Sequence, residues 1–306
     1  MDILNSDAVK YFITVLAAGL LTGVMYALVA LGFVLIYKAS GVFNFAQGAM
    51  VFFAALTVAG LNEKFGLSLW LAVPITIVVM VALGFLTERI VLRPLVNQHE
   101  ITLFMATIGL TFFIEGLAQL LWGSNVRTLD LGIQDVPFEW LIDKTGILIS
   151  QFDLIAAGIC ALLVGALALL FNKTKIGRAL RAVADDHQAA LSVGIPLQHV
   201  WGIVWAVAGF VALVAGLLWG SRNGVQFALT FVALKALPVL ILGGFTSVPG
   251  AIVGGLIIGA SEKLAEVYLG PYVGGGIEGW FPYVLALLFL LVRPEGLFGE
   301  KIIRRI

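Results

Sequence analysis

Few residues in this sequence are suited to chemistry, and the first of them are isolated charges within long apolar runs. Glu115 and Lys235 are such charges. A charge near the middle of a bilayer costs roughly 2.5–3.5 kcal/mol on insertion scales, so it faces the protein interior and often marks a functional site. Both residues are therefore candidates for a site inside a membrane protein, and a structural ion pair is the alternative.

A second group of charges lies in TKIGRALRAVADDHQAALSVGI, residues 174–195, which interrupts the apolar sequence. As a helix, this stretch begins after Thr174, which is suited to the N-cap, and ends at Gly194 before Pro196. Its periodicity predicts one mostly apolar stripe and one polar stripe. The apolar stripe is Ile176, Leu180, Val183, His187 and Leu191, and the polar stripe is Arg178, Arg181, Asp185 and Gln188.

Common catalytic motifs are absent from the sequence. It contains no G-x-x-x-x-G-K-[ST] phosphate loop, no H-E-x-x-H and no G-x-S-x-G. Residues 274–279 match G-x-G-x-x-G, but no strand precedes them and an apolar run follows, so they do not predict a dinucleotide site. His99, His187 and His199 lie in or beside polar connections, which argues against an intramembrane metal site. We expect neither an enzyme nor a cofactor in this chain.

The composition is that of a multi-pass membrane protein, because 61% of the 306 residues are hydrophobic and 12% are charged. About 20 apolar residues span a hydrocarbon core of roughly 30 Å. The second span begins with polar residues and could be re-entrant, and the last is short, so we expect eight to ten spans in an all-helical fold. The predicted spans are 11–37, 43–61, 67–87, 101–122, 153–171, 199–220, 227–243, 249–268 and 280–292.

The distribution of cations predicts the orientation. With the C-terminus inside, the inner segments hold eleven of the 18 Lys and Arg residues and the outer segments hold six. The loop at 123–152 is acidic and falls outside.

Equal numbers of Lys/Arg and Asp/Glu, 18 of each, give no indication of a nucleic-acid partner. Glycines four residues apart, such as Gly19/Gly23 and Gly255/Gly259, predict close helix packing.

Four stretches together resemble one family, the permeases of branched-chain amino acid ABC importers of the LivH type. They are YKASGVFNFAQG (37–48), residues 174–195, LILGGFTSVPGAIVGG (240–255) and RPEGLFG (293–299). The similarity covers essentially the whole chain. It implies a single permease domain over 1–306, with the large-bundle ABC importer fold, in the bacterial inner membrane.

The resemblance also implies partners. These are a sibling LivM-type permease, two cytoplasmic ATPase subunits that bind ATP, and a periplasmic substrate-binding protein. Substrates in the family include branched-chain and other amino acids, urea, amides and aromatic acids. A stand-alone carrier or channel driven by a gradient is the alternative that the residues themselves leave open.

Within this family the 174–195 helix would be the ATPase-coupling helix. Leu180 and Val183 would then be anchors in a groove of the ATPase. An interfacial helix on lipid and a solvated linker are the alternatives. The implied coupling residues are Gly177, Arg178, Leu180, Arg181, Val183, Asp185 and Gly194.

Amides mark a candidate translocation pathway. Asn44 and Gln47 open a predicted span, where lipid-facing residues would be apolar. An uncompensated amide in hydrocarbon is costly, so both should face protein or water. We expect them at the pathway together with Glu115 and Lys235. Hydrogen bonding to a neighbouring helix is the alternative.

Overall fold

The structure is a computed structural model that describes residues 7–95, 98–185 and 187–299. Of the described residues, 80% are helical and none forms a strand. Two isolated β-bridges join Arg127 to Val225 and Pro137 to Ser150. The all-helical, multi-span class predicted from the sequence is confirmed.

Thirteen α-helices occur in the described residues, and some are extended by short helical turns. A π-helical turn, Thr87–Leu92, and a 3-10 turn, Arg93–Leu95, continue α3. Other 3-10 turns, Phe227–Phe231 and Ile277–Gly279, precede α10 and α13. The α-helices are α1 (Asp7–Ser40), α2 (Gln47–Phe65), α3 (Leu69–Leu86), α4 (Glu100–Trp122), α5 (Glu139–Thr145), α6 (Gln151–Lys173), α7 (Lys175–Asp185), α8 (His187–Ser192), α9 (Leu197–Asn223), α10 (Val232–Gly243), α11 (Val248–Tyr268), α12 (Gly270–Val273) and α13 (Phe281–Val292).

The predicted spans coincide with helices throughout the described residues. In the part of the chain that the structure describes, six helices are long and apolar enough to cross a membrane, and Phe227–Gly243 and Phe281–Val292 are shorter apolar helices. The remaining predicted span is α2. Its 19 residues extend about 28 Å at 1.5 Å per residue, and it is buried from Gln47 through Gly60.

The described helices fall into two compact units. The first, here called the α2 unit, comprises residues 31–131 and 164–234. In it α2 packs against α3, α4, α9 and the 3-10 turn at Phe227–Phe231. Glycines allow the backbones to approach closely: a Cβ at Gly216 would lie 2.5 Å from the Val51 carbonyl oxygen, and one at Gly84 would lie 2.7 Å from the Ala206 nitrogen.

The other unit, here called the α11 unit, comprises the described residues 7–30, 132–163 and 235–299. Its α11 packs along the first part of α1 through the glycines that the sequence spacing predicted. A Cβ at Gly19 would lie 2.7 Å from the Gly259 carbonyl oxygen, and one at Gly255 would lie 2.6 Å from the Gly23 carbonyl oxygen. The prediction of close helix packing at these glycines is confirmed.

This contact makes a testable prediction about stability. A Cβ at Gly259 would lie 2.5 Å from the Gly23 Cα, and overpacking of this kind costs about 1–3 kcal/mol. We expect Gly259→Ala to lower the free energy of unfolding in detergent by that amount. Gly158→Ala on α6 is the matched control, because a Cβ there meets no atom within 4 Å. Equal stability of the two variants would contradict the packing role of Gly259.

Candidate functional site

Local hydrogen bonds define both ends of the polar 174–195 segment. Thr174 Oγ1 accepts from the Gly177 N–H at 3.2 Å, which confirms Thr174 as the N-cap of α7. After α8, the Ile195 N–H donates to the Ala190 carbonyl at 2.9 Å and the Gly194 N–H to the Leu191 carbonyl at 3.0 Å. With Gly194 at φ 84°, this is a Schellman motif, so the predicted stop is confirmed.

Two residues of the predicted apolar stripe, Leu180 and Val183, face the chain itself, whereas Ile176 and Leu191 are exposed. Leu180 is 2% exposed and Val183 is 0% exposed, and α7 packs on α9 within the α2 unit. Gly177 is also buried, and a Cβ there would overlap the Phe171 carbonyl. The structure therefore differs from the expectation that Leu180 and Val183 project into a partner. An amphipathic helix buries its stripe against the nearest apolar surface, and α9 provides that surface.

Arg181 ties α7 to the end of α6. Its Nη1 donates to the Phe171 carbonyl oxygen at 2.6 Å. Carbonyls in the last turn of a helix lack intrahelical partners, and a cation there is favourable for the helix dipole. Together with the Gly177 contact, this bond means that α7 is held by both α6 and α9.

The side of α7 opposite its buried stripe is polar and exposed. Lys175, Arg178 and Asp185 are exposed, and at 100° per residue they lie on one side of the helix. We call these three residues the polar face of α7. Asp186 lies outside the described residues, and so do the side chains of His187 and Gln188.

The amides at the start of α2 are buried in the α2 unit. Asn44 and Gln47 are both 0% exposed. Asn44 Nδ2 donates to Gln47 Oε1 at 3.3 Å, and Asn44 Oδ1 accepts from the Ala46 N–H at 3.1 Å. The Gln47 side chain lies against Gly32 so closely that a Cβ there would overlap it. These contacts hold the turn between α1 and α2, and a role of the amides in a pathway stays a prediction.

Thr107 of α4 secures the same turn. Its Oγ1 accepts from the Phe45 N–H at 3.2 Å and donates to the Phe43 carbonyl at 3.1 Å. Glu115 lies two turns further along α4 and is 9% exposed. Asn44, Gln47 and Glu115 thus belong to one unit, whereas Lys235 belongs to the α11 unit.

Lys235 forms an ion pair inside the α11 unit. Its Nζ lies 3.0 Å from Glu262 Oε1 and 2.9 Å from the Glu278 carbonyl oxygen. Tyr26 Oη donates to the same Glu262 oxygen at 3.1 Å. A second pair, Lys263 Nζ to Glu278 Oε2, is 2.7 Å long. We call these five residues the α11 polar cluster.

Sequence reasoning did not identify the partners of Lys235. The available signal was that a lone cation in an apolar run needs an acid from another run, which makes Glu262 of α11 a candidate. Tyr26 and Glu278 carry no such signal, because a tyrosine inside a span and a glutamate in a connection are both ordinary.

Two of the motifs quoted from the sequence meet in the α11 unit. The Leu297 N–H donates to the Leu242 carbonyl at 2.8 Å, and the Phe298 N–H donates to the Gly243 carbonyl at 3.1 Å. Gly244, with φ 101°, makes the turn that leads from α10 towards α11. The RPEGLFG segment therefore pairs with the end of α10, a contact that the sequence did not indicate.

These features define a multi-pass α-helical membrane protein with one ion pair at a buried glutamate and one capped polar helix. The chain belongs to the family described as branched-chain amino acid transport system / permease component, whose model matches residues 15–293. This agrees with the resemblance seen in the motifs.

Relatives match over nearly their full length. The chain is 28% identical to the high-affinity branched-chain amino acid transport system permease protein LivH of Salmonella typhimurium, with 98% of this chain and 100% of the relative covered. It is 27% identical to the corresponding BraD protein of Pseudomonas aeruginosa, with 97% and 99% covered. A solved structure, PsaBC from Streptococcus pneumoniae in complex with Fab, matches with a TM-score of 0.47 and 14% identity over 90% of this chain and 89% of that chain.

Proposed function

We propose that this chain is the transmembrane permease subunit of an ATP-driven ABC importer for branched-chain or other amino acids. The observation that carries the proposal is the family match over residues 15–293. The named relatives are permease proteins of branched-chain amino acid transport systems. In the proposed complex the chain contributes one permease domain, spanning 1–306, and forms the pathway with a sibling permease in the bacterial inner membrane.

The ATPase partners would supply the energy, since the sequence has no phosphate loop of its own. In this proposal α7 and α8 lie on the cytoplasmic side, the C-terminus is cytoplasmic, and a periplasmic binding protein delivers the substrate. The polar face of α7 docks on the ATPase. Leu180 and Val183, on the opposite side of the helix, fix α7 to α9. A displacement of α7 by the ATPase is therefore transmitted to the spans α6 and α9.

Purification and reconstitution test this function. The tagged chain, expressed together with its ATPase, sibling-permease and binding-protein partners, should co-purify with two ATPase subunits. Proteoliposomes that contain the complex, with binding protein outside, should take up leucine only when ATP is enclosed in the lumen, where the ATPase subunits of the importing complexes lie. Leucine uptake by the chain alone, driven by an imposed ion gradient, would instead favour a stand-alone carrier.

The orientation makes a separate prediction. Gly132 lies in the acidic connection, is exposed, has φ 71°, and offers no contact to an added Cβ within 4 Å. An inserted protease site there should be tolerated, because the segment is an exposed turn. We expect cleavage in intact spheroplasts by protease added outside. Cleavage only after lysis would place this loop in the cytoplasm and reverse the proposed side of α7.

A further inference from the structure

Glu262 of the α11 polar cluster has an oxygen that its neighbours leave without a hydrogen bond. The residue is 2% exposed. Its Oε1 accepts from both Tyr26 Oη and Lys235 Nζ, whereas Oε2 is buried and has no hydrogen-bond partner among the described residues. A carboxylate accepts at both oxygens, and a buried acceptor without a donor is unfavourable. Glu262 therefore has capacity for one more cationic or N–H donor.

The ammonium group of Lys235 can donate one more hydrogen bond. An ammonium carries three donors, and two of them go to Glu262 Oε1 and the Glu278 carbonyl oxygen. The side chain is 30% exposed, in contrast to that of Glu262. The third donor can thus reach an anionic group that approaches from the exposed side.

The pair does not lie at the end of a span, because Lys235 is eight residues from the start of the apolar helix Phe227–Gly243. Lys235 lies in the first turn of α10, which begins at Val232. Glu262 lies six residues before the end of α11 at Tyr268, or about 9 Å at 1.5 Å per residue. In the proposed orientation the pair lies between the middle and the outer end of these helices.

We infer that Lys235 and Glu262 form a transient binding site for the α-carboxylate and α-ammonium of a zwitterionic amino acid. The inference rests on the proposed function. Lys235 receives the substrate carboxylate, and Glu262 receives the ammonium at Oε2 once Lys235 has moved away from Oε1. A zwitterion brings one charge of each sign, so it replaces one ion pair with two and leaves the net charge of the site unchanged.

Recognition of this kind favours substrates that carry both charges. A neutral amide or urea offers no full charge to either residue. It therefore cannot offset the free-energy cost of separating the Lys235–Glu262 ion pair. Lys263 and Glu278, paired beside the site at 2.7 Å, add one charge of each sign and leave the local balance neutral. The site therefore distinguishes amino acids from uncharged substrates by their α-groups, and it does not contact the side chain.

A double variant separates this role from a structural one. Lys235→Met/Glu262→Gln removes both charges together, so neither remains buried without its partner. The complete importer should assemble in proteoliposomes, and loaded binding protein should still stimulate ATP hydrolysis. Uptake of radiolabelled leucine should fall about tenfold or more, as expected for the loss of charged hydrogen bonds. Lys235→Arg, which keeps the cation, should retain uptake.

The control is Lys263→Met/Glu278→Gln, which neutralises the neighbouring pair and should leave leucine uptake near that of the wild type. Wild-type uptake by Lys235→Met/Glu262→Gln would overturn the site, and so would a parallel loss of assembly, ATPase stimulation and uptake, because the pair would then be structural. Failure of the wild-type complex to take up leucine would overturn the proposed function, and the site with it.

Discussion

Leu180→Glu is expected to prevent the permease from folding, rather than to uncouple a folded transporter. Leu180 is 2% exposed and lies on α7, a helix that packs on α9. Loss of a core leucine costs about 2–5 kcal/mol, and an unpaired carboxylate at a buried position adds to that cost. Because proteins are stable by only about 5–15 kcal/mol, the yield of monodisperse protein in size-exclusion chromatography should collapse. Leu180→Met, which keeps the volume, should be tolerated.

The matched variant on the other side of the helix is Arg178→Glu. Arg178 is exposed on the polar face of α7, and substitutions at exposed positions change stability by about 0.5 kcal/mol or less. The protein should fold and insert normally, while the ratio of co-purified ATPase to permease falls. A folded Leu180→Glu permease with lost ATPase would show that Leu180 faces the partner. Wild-type ATPase binding by Arg178→Glu would remove the polar face from the docking surface.

Local features explain why the spans could be predicted from the sequence. Length and freedom from charge are properties of each run by itself, so runs such as 101–122 and 153–171 correspond closely to α4 and α6. Capping is equally local, and Thr174 and Gly194 both occupy the ends predicted for them. Neither property requires knowledge of the rest of the fold.

Long-range pairing explains what could not be predicted. Periodicity shows that α7 has an apolar stripe but does not show whether α9 or a partner covers it. The bond from Trp201 Nε1 to the Ala39 carbonyl, 2.9 Å long, joins residues 162 positions apart and leaves no local mark. The π-helical turn at Thr87–Leu92 depends on hydrogen-bond register, which residue types alone do not specify.

Burial also separates two groups of polar residues that looked alike in sequence. Asn44 and Gln47 are fully enclosed by their own unit, and their hydrogen bonds hold a turn. Lys235 keeps an exposed side although it also sits in an apolar run. Exposure in three dimensions therefore separates polar residues that the sequence pattern does not, and a role in transport stays a prediction for each of them.

Lys235→Met alone should destabilise the α11 unit more than the double change Lys235→Met/Glu262→Gln. The single change leaves the Glu262 carboxylate buried with Tyr26 as its remaining donor among the described residues. Breaking one side of a buried pair costs about 3–5 kcal/mol, whereas replacing both partners by neutral groups is often close to neutral.

The measurement is a double-mutant cycle on the free energy of unfolding in detergent, with Glu262→Gln as the second single variant. Residues in direct contact are expected to show coupling of about 0.5–3 kcal/mol, and for this pair it should lie at the upper end because Glu262 is 2% exposed. The Lys263/Glu278 pair, with both side chains partly exposed, should show coupling below about 1 kcal/mol. Additive effects of the two single variants on the free energy of unfolding would mean that Lys235 and Glu262 do not stabilise each other. The charge of Glu262 would then be neutralised by another group.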